Sequence, residues 1–321
     1  MNLTSVEICA GAGGQALGLE LAGFSHEALV EIEPEAQRTL TLNRPAWNVP
    51  SNGDVRAFNG LGFKGIDLLA GGVPCPPFSK AGKQLGSDDE RDLFPEAIRL
   101  VGEMKPRAVM LENVRGLLDP RFAEYRASIH SRMKKLGYEG QWRLLNASDY
   151  GVPQLRPRVL FVAIQKDLAQ SFQWPERISG EEAPTVGECL YDLMAEHGWH
   201  LAKTWKTWAN EIAPTLVGGS KKHGGPDLGP TRAKRAWAKL GVDARGLADQ
   251  APEVGFIGLP RLTTRMAARL QGFPDEWEFS GKKTAAYRQV GNAFPPPVAS
   301  AVGGQIALSI GKALTRRARA K

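Results

Sequence analysis

Residues 5–24, SVEICAGAGGQALGLELAGF, read as a strand, a tight turn and a helix. SVEICA has the apolar content of a buried strand, Gly11, Gly13 and Gly14 supply the turn, and Leu17, Leu19 and Leu21 supply apolar helical positions. Glycines let the backbone turn sharply and let a ligand approach, while the start of the helix offers free N–H groups to an anionic group. Glu31 follows at the end of the next strand-like run, EALVEI, where a carboxylate can hold two ribose hydroxyls. The layout is that of a nucleoside-cofactor site. The plainer alternative is a turn that needs its glycines for geometry alone.

Outward from this unit the alternation continues. DLLAGG, AVMLENV, WRLLNA and RVLFVAI have strand length and apolar content, and stretches such as 90–104 and 121–136 between them have helical patterning. Strands alternating with helices argue an α/β fold with a doubly wound, mostly parallel sheet. The pattern stops near residue 175. From 199 to 258 the chain is rich in Gly, Pro, Trp and basic residues with little of either period, and helical patterning returns at TTRMAARLQGF and PPPVASAVGGQIALSIGKAL. The proline cluster suits a helix start, where no N–H donor is needed. The expected layout is a large domain over 1–175, a smaller one over 176–280, and a C-terminal helix in 281–321 that returns to the first.

Composition narrows the function classes. The 321 residues carry 41 Lys+Arg against 34 Asp+Glu, a formal charge of +7, and the pI is about 9.3. That balance favours polyanionic partners. No run of about 18 apolar residues reads as a membrane span, and the first residues lack the basic start and apolar core of a signal peptide. A cytoplasmic, nucleoid-associated protein without membrane contact is expected. Cys9, Cys75 and Cys189 are odd in number and far apart, which argues against a disulfide framework or a zinc site, and no metal is expected.

Two cofactors remain open for the glycine turn. Gly11, Gly13 and Ala16 satisfy the loose dinucleotide fingerprint, so a nicotinamide-dependent oxidoreductase is a rival. S-adenosylmethionine fits equally well, because it needs the ribose-binding acid and a glycine loop close to its amino-acid moiety. Asp54 in NGDV stands where a carboxylate can accept from an adenine amino group, although an Asp in such a run is more often a turn residue.

GGVPCPPFSKAG, residues 71–82, places Cys75 just after the apolar run DLLAGGV and among three prolines. It therefore stands at the carboxyl end of a strand, the edge where open α/β sheets bind ligands. A lone cysteine is ordinarily a small buried hydrophobe, and Cys9 and Cys189 take that reading. Prolines fix φ and withhold N–H donors, which makes a defined loop and suits a positioned nucleophile. Arg156 and Arg158 in QLRPR, opening a later strand, can favour a thiolate. Glu112, which ends the run AVMLENV, can serve as a general acid whose pKa burial raises.

PCPPFS (74–79), ENV (112–114) and QLRPR (154–158), in that order after EICAGAGG, resemble the signature series of the C5-cytosine DNA methyltransferases. DDERDLF (88–94), RLTTRMAARLQGFPDEW (261–277) and YRQVGNAFPPPVA (287–299) extend the resemblance over nearly the whole chain except about 175–258. It implies a Rossmann-like, S-adenosylmethionine-dependent fold with a smaller target-recognition domain. By the same resemblance Cys75 attacks C6 of a cytosine flipped out of double-stranded DNA, and Glu112 acts on N3. Arg158 contacts the base or its phosphate, Arg156 and Gln154 brace the loop, Asn113 and Val114 line the base pocket, and Ser79 belongs to a lid.

For the cofactor, the resemblance implies Cys9, Ala10, Gly11, Gly13 and Gly14 along the methionine part and Glu31 on the ribose. Ile32 is expected on the adenine, where family members often carry a larger side chain. Asp54 and Val55 flank the adenine edge, Pro74 and Leu93 close the far side, and Asn292 and Ala293 lie near the methionine tail. A monomer is implied, with a cognate restriction endonuclease as a partner in the same system.

The region expected to read DNA has its own composition. Lys203, Lys206, Lys221, Lys222, Arg232, Lys234, Arg235, Lys239 and Arg245 stand against Glu211, Asp227 and Asp243, and Trp199, Trp205, Trp208 and Trp237 fall in the same stretch. Basic side chains among glycines, as in VGGSKKHGGPD, suit a loop lying against phosphates, with Lys221 and Lys222 as the expected contacts. A solvated basic surface over a small tryptophan core is the plain alternative. The tail 314–321 is expected to be a disordered basic extension.

Overall fold

The computed structural model describes residues 2–74, 92–178, 183–218 and 225–319, with 313–319 as backbone alone. Cys75, Ser79, Lys221 and Lys222 lie outside the described residues. The first half runs β1 (Leu3–Ile8), α1 (Gly14–Leu21), β2 (Phe24–Val30), α2 (Pro34–Asn43), β3 (Leu68–Gly71), α3 (Phe94–Met104), β4 (Ala108–Val114), α4 (Ala123–Lys135), β5 (Tyr138–Asn146) and β6 (Pro157–Gln165). The six strands form one sheet in the order β2-β1-β3-β4-β6-β5.

Strands β2, β1, β3 and β4 pair in parallel, and β6 runs antiparallel to both β4 and β5. The sheet is mostly parallel, as the alternation predicts, with β6 the one strand reversed. The cause is a short connection: residues 147–156 join β5 to β6, whereas a parallel crossover needs about a dozen or more residues.

Alternation within the strands assigns each face its helices. Leu160, Val162 and Ile164 of β6 join Leu68, Ala70 and Met110 in a cluster with Val298, Val302 and Ile306 of the last helix. Phe161 and Ala163 point the other way, into a cluster with Ile98 and Val101 of α3 and Ile129 and Met133 of α4. Burying both faces is what a doubly wound sheet requires.

After the sheet come α5 (Val186–Ala195), α6 (Ala202–Trp208), α7 (Thr231–Lys239), α8 (Thr264–Leu270), α9 (Lys283–Asn292) and α10 (Pro296–Arg319). Helices α6 and α7 lie where the sequence shows little periodicity. Each is short, and α7 buries only Trp237, too little for a visible stripe. Trp199, Trp205 and Trp237 are nevertheless fully packed, in a cluster with Leu190, Leu240, Leu262 and Met266. α10 begins on the proline cluster and lies against α1: a Cβ on Gly18 would come 2.3 Å from the Pro296 carbonyl oxygen.

Two sequence expectations need correction. Leu17 and Leu19 are buried but Leu21, at the last residue of α1, is 68% exposed. The tail is not irregular where it is described, since the backbone of α10 continues to Arg319. Among the described residues no helix is long and apolar enough to cross a membrane.

Candidate active site

The glycine turn is built on left-handed backbone. Cys9, Gly11 and Gly13 all have positive φ, at 54°, 55° and 85°. Gly13 also lacks room for a side chain, because a Cβ there would meet Leu40 at 2.8 Å and the Trp277 ring at 3.0 Å. Trp277 fixes the turn a second way, its Nε1–H donating to the Ala12 carbonyl at 3.1 Å. The open face of this turn borders a cleft of about 320 Å³ at the carboxyl ends of β1, β2, β3 and β4.

Of the residues expected around a cofactor, Cys9, Ala10, Gly11, Gly14, Glu31, Ile32, Asp54, Val55, Pro74, Leu93, Asn292 and Ala293 all line this cleft, joined by Glu112. Gly13 does not line it and serves the packing just described. Glu31 accepts from Gly11 N at 2.7 Å and from Glu33 N at 2.8 Å, one on each carboxylate oxygen. Each oxygen keeps a second lone pair for a hydroxyl. Burial raises the Glu31 pKa, and the backbone donors pull it back.

Ile32 is 60% exposed at the rim, an apolar face open to a planar ring. Asp54 opens a turn and accepts from Arg56 N at 3.0 Å, so it is both a turn residue and a cleft residue. No strand precedes it. Cys9 is a half-buried thiol, its pKa pushed up by burial and then by Glu31 and Glu7, which makes it an uncharged lining group and not a nucleophile.

At the other end of the cleft stands Glu112. The antiparallel register sets Val114 opposite Arg158 and Glu112 opposite Leu160, so Glu112 and Arg158 are diagonal neighbours on one face. Arg158 Nε lies 2.8 Å from Glu112 Oε1, with both side chains nearly buried. Burial pushes the Glu112 pKa up, and Arg158, then Arg156, oppose it. The second oxygen faces Gly72, where a Cβ would lie 3.4 Å from Oε2. Gly72 thereby leaves room at the end of β3, next to Pro74 and the run that carries Cys75. Leu93 N donates to the Pro74 carbonyl at 3.5 Å, so the two ends of the 75–91 segment meet at this cleft.

The structure corrects three expected contacts. Arg156 is fully buried and faces no cleft. Its guanidinium donates to the Leu216 carbonyl at 2.8 Å, to Gly291 at 2.8 Å and to Ala293 at 3.0 Å. Gln154, also fully buried, donates to Gln271 Oε1 and the Leu270 carbonyl and accepts from Leu216 N. Both are braces, which was expected of them, and neither is placed as a catalytic or substrate-binding group. Asn113 is buried and donates to the Val73 carbonyl at 2.8 Å. It holds the chain two residues before Cys75 and does not line the cleft, because an amide one residue past Glu112 on a pleated strand points to the opposite face. Val114 is 55% exposed.

Among the cleft residues that escaped the reading of the sequence, Glu7, Gln15 and Arg288 carry polar chemistry. Glu7 is 1% exposed with Oε2 unpartnered, and Gln15 is 3% exposed with both side-chain polar atoms unpartnered. Arg288 lines the same cleft from α9, one turn before Asn292. The signal for Glu7 was an acid inside an apolar strand, and for Gln15 a polar residue among buried apolar helix positions. Acids outnumber bases in the lining, with Glu7, Glu31, Glu33, Glu35, Asp54 and Glu112 against Arg56 and Arg288, and Glu112 among them is already paired with Arg158.

Comparison with known proteins decides the family. The model of the C-5 cytosine-specific DNA methylase family matches residues 3–308. The chain belongs to that family. The methylase is 62% identical over 315 residues to the Type II methyltransferase M.NgoMIV of Neisseria gonorrhoeae, covering 97% of this chain and 99% of that one. It is 60% identical over 311 residues to the Type II methyltransferase M.NaeI of Lentzea aerocolonigenes, covering 95% of the methylase and 75% of that protein. Its fold also matches the crystal structure of a Spodoptera frugiperda DNMT2 mutant, with a TM-score of 0.66 at 19% identity over 95% of the methylase and 99% of that chain. The Rossmann-like α/β fold and the enzyme class, a C-5 cytosine-specific DNA methyltransferase, are thus those expected from the motifs.

Proposed function

We propose that the methylase transfers a methyl group from S-adenosylmethionine to C5 of a cytosine flipped out of duplex DNA, through a covalent bond between Cys75 and C6. The observation that carries this reading is one cleft that joins a glycine turn and ribose-type acid, Gly11 and Glu31, to the buried Glu112–Arg158 pair beside Pro74. A base stacked in a duplex cannot present C6 and C5 to a cleft of this depth, so extrusion is required.

In this mechanism the Cys75 thiolate adds to C6 and the C5–C6 π electrons move toward N3. Glu112, whose pKa burial raises, donates a proton to N3 or hydrogen-bonds it, which stabilises the enamine. Arg158 fixes the Glu112 carboxyl and shares the charge that develops. When bound, S-adenosylmethionine supplies the electrophilic methyl group for C5. Removal of the C5 proton by a base then returns an electron pair to the ring, the Cys75–C6 bond breaks to release the thiolate, and any proton taken up at N3 returns to Glu112. Glu31 would hold the ribose, Ile32, Val55 and Leu93 the adenine, and the Cys9–Gly14 turn with Asn292 and Ala293 the remainder of the cofactor.

The same reading assigns 176–280 to target recognition, with Lys221 and Lys222 on the phosphates, and 1–175 with the returning helix to catalysis. The reading also takes the enzyme as a cytoplasmic monomer, and its likeness to Type II methyltransferases supports a partnership with a cognate restriction endonuclease. Expression in a bacterial host without cytosine methylation, followed by bisulfite sequencing, tests the proposal. 5-Methylcytosine should appear at one short DNA sequence, be absent from tRNA, and vanish with Cys75→Ser. Unchanged methylation in Cys75→Ser would rule out the covalent route.

A further inference from the structure

The first turn of α1 carries a side chain that the fold itself leaves unsatisfied. Gln15 is 3% exposed, borders the cleft, and neither Nε2 nor Oε1 has a hydrogen-bond partner. Leaving a buried polar group unmade costs about 1–3 kcal/mol. Ala16, Leu17 and Leu19 next to it are buried and apolar, so an apolar side chain of the same shape would suit the bare protein better at this position. A carboxamide is retained there at a cost to the folded chain, and the cleft is where that cost can be recovered.

Which part of a ligand would recover it follows from the surroundings. The apolar cleft residues Ile32 and Val55 directly follow Glu31 and Asp54 in the chain, and they suit a planar base. Gln15 instead follows Gly14, whose backbone touches the end of α9: a Cβ on Gly14 would meet the Phe294 carbonyl at 2.2 Å and Ala293 Cβ at 3.3 Å. The same cleft presents a carboxylate oxygen with no partner, Glu7 Oε2, and a cation, Arg288, that makes no side-chain hydrogen bond or ion pair among the described residues. An amide that donates through Nε2 and accepts through Oε1, set with one acid and one base, matches a group bearing both a carboxylate and an ammonium.

We infer that Gln15 is a binding residue for the zwitterionic amino-acid end of the methyl donor, its amide donating to the α-carboxylate and accepting from the α-ammonium. The inference rests on the cofactor reading above and adds a side chain of α1 to the contacts of the cofactor's amino-acid end. Glu7 supplies the countercharge for the ammonium and Arg288 that for the carboxylate. A ligand that keeps the nucleoside but lacks the amino-acid end gains nothing from this position.

Calorimetry on the full chain tests it with two ligands, S-adenosylhomocysteine and 5′-methylthioadenosine, and with Gln15→Leu and the longer, unbranched Gln15→Met. Both variants should keep or raise the thermal midpoint of the ligand-free protein, since an unsatisfied amide has been removed. Affinity for S-adenosylhomocysteine should fall by about tenfold or more, while that for 5′-methylthioadenosine should stay within about twofold. Equal loss for both ligands, or no loss for either, overturns the inference and leaves the cofactor reading standing. Failure of the unaltered protein to bind S-adenosylhomocysteine overturns the cofactor reading and this inference with it. If one variant does not fold, the other decides between these outcomes.

Discussion

The cleft has two walls made on different principles. The sheet wall, from the ends of β1 to β4, presents buried acids inward: burial raises the pKa values of Glu7, Glu31 and Glu112, and Glu7 Oε2 has no partner. The helical wall, at the end of α9, is held by polar side chains that face away from the cleft and are tied to backbone carbonyls and to each other, Arg156 through both terminal nitrogens and Gln154 through its whole amide. One wall spends stability on chemistry and the other secures it. The two arginines of QLRPR show the division within three residues, since Arg158 meets Glu112 in the site and Arg156 ties Leu216, Gly291 and Ala293 behind it.

The contrast can be broken by substitution. Glu112→Gln should lower the methylation rate on duplex DNA by at least about a hundredfold with little change in urea unfolding; a loss below tenfold would remove Glu112 from the chemistry. Arg156→Leu should act in the opposite sense. It strips a buried donor from three carbonyls, so a loss of about 3 kcal/mol or more in unfolding free energy is expected, and equal stability would make the brace dispensable.

Acidity sharpens the comparison further. A carboxyl whose folded pKa is raised holds its proton longer in the folded chain than in the unfolded one. Glu7, Glu31 and Glu112 should therefore make the ligand-free protein less stable as pH rises from the ordinary glutamate range of about 4.3 through their raised values, by up to about 1.4 kcal/mol per group for each pH unit. His26, whose pKa burial lowers, works against this near neutrality, so the decisive quantity is a difference. Unfolding curves at several pH values should slope less in Glu112→Gln than in the unaltered protein, and identical slopes would show that Glu112 is not held protonated. The smallest effect is expected at the join between the walls. Trp277→Phe removes one hydrogen bond to Ala12 and keeps most of the ring, so the KM for the methyl donor should rise about fivefold at unchanged kcat.

Much of the sheet wall was legible in the sequence, because its signals are local. A strand of period two, a glycine turn and an acid at a fixed distance are all written within 31 residues, and the strand runs name both faces of the sheet. The helical wall was less legible. Whether Asn113, Gln154 and Arg156 face a ligand or a neighbouring carbonyl depends on partners 40 to 137 residues away, and residue type alone does not distinguish the two. α6 and α7 were missed because seven and nine residues, each burying one tryptophan, leave no stripe to read. Gln15 and Glu7 were missed because a polar residue in an apolar run looks like an imperfection until its lack of partners is seen.

The cleft also sets the order in which the protein becomes competent. Its lining comes from residues 7–15, from several segments between 31 and 112, and from 285–294, and α1 is not covered until α10 arrives. During synthesis the sheet strands emerge early, yet the site has only one wall until residue 294 has left the ribosome. Contacts this distant in sequence form late and slowly. A truncated or stalled chain therefore exposes the face of α1 around Gly18 and lacks one wall of the cleft.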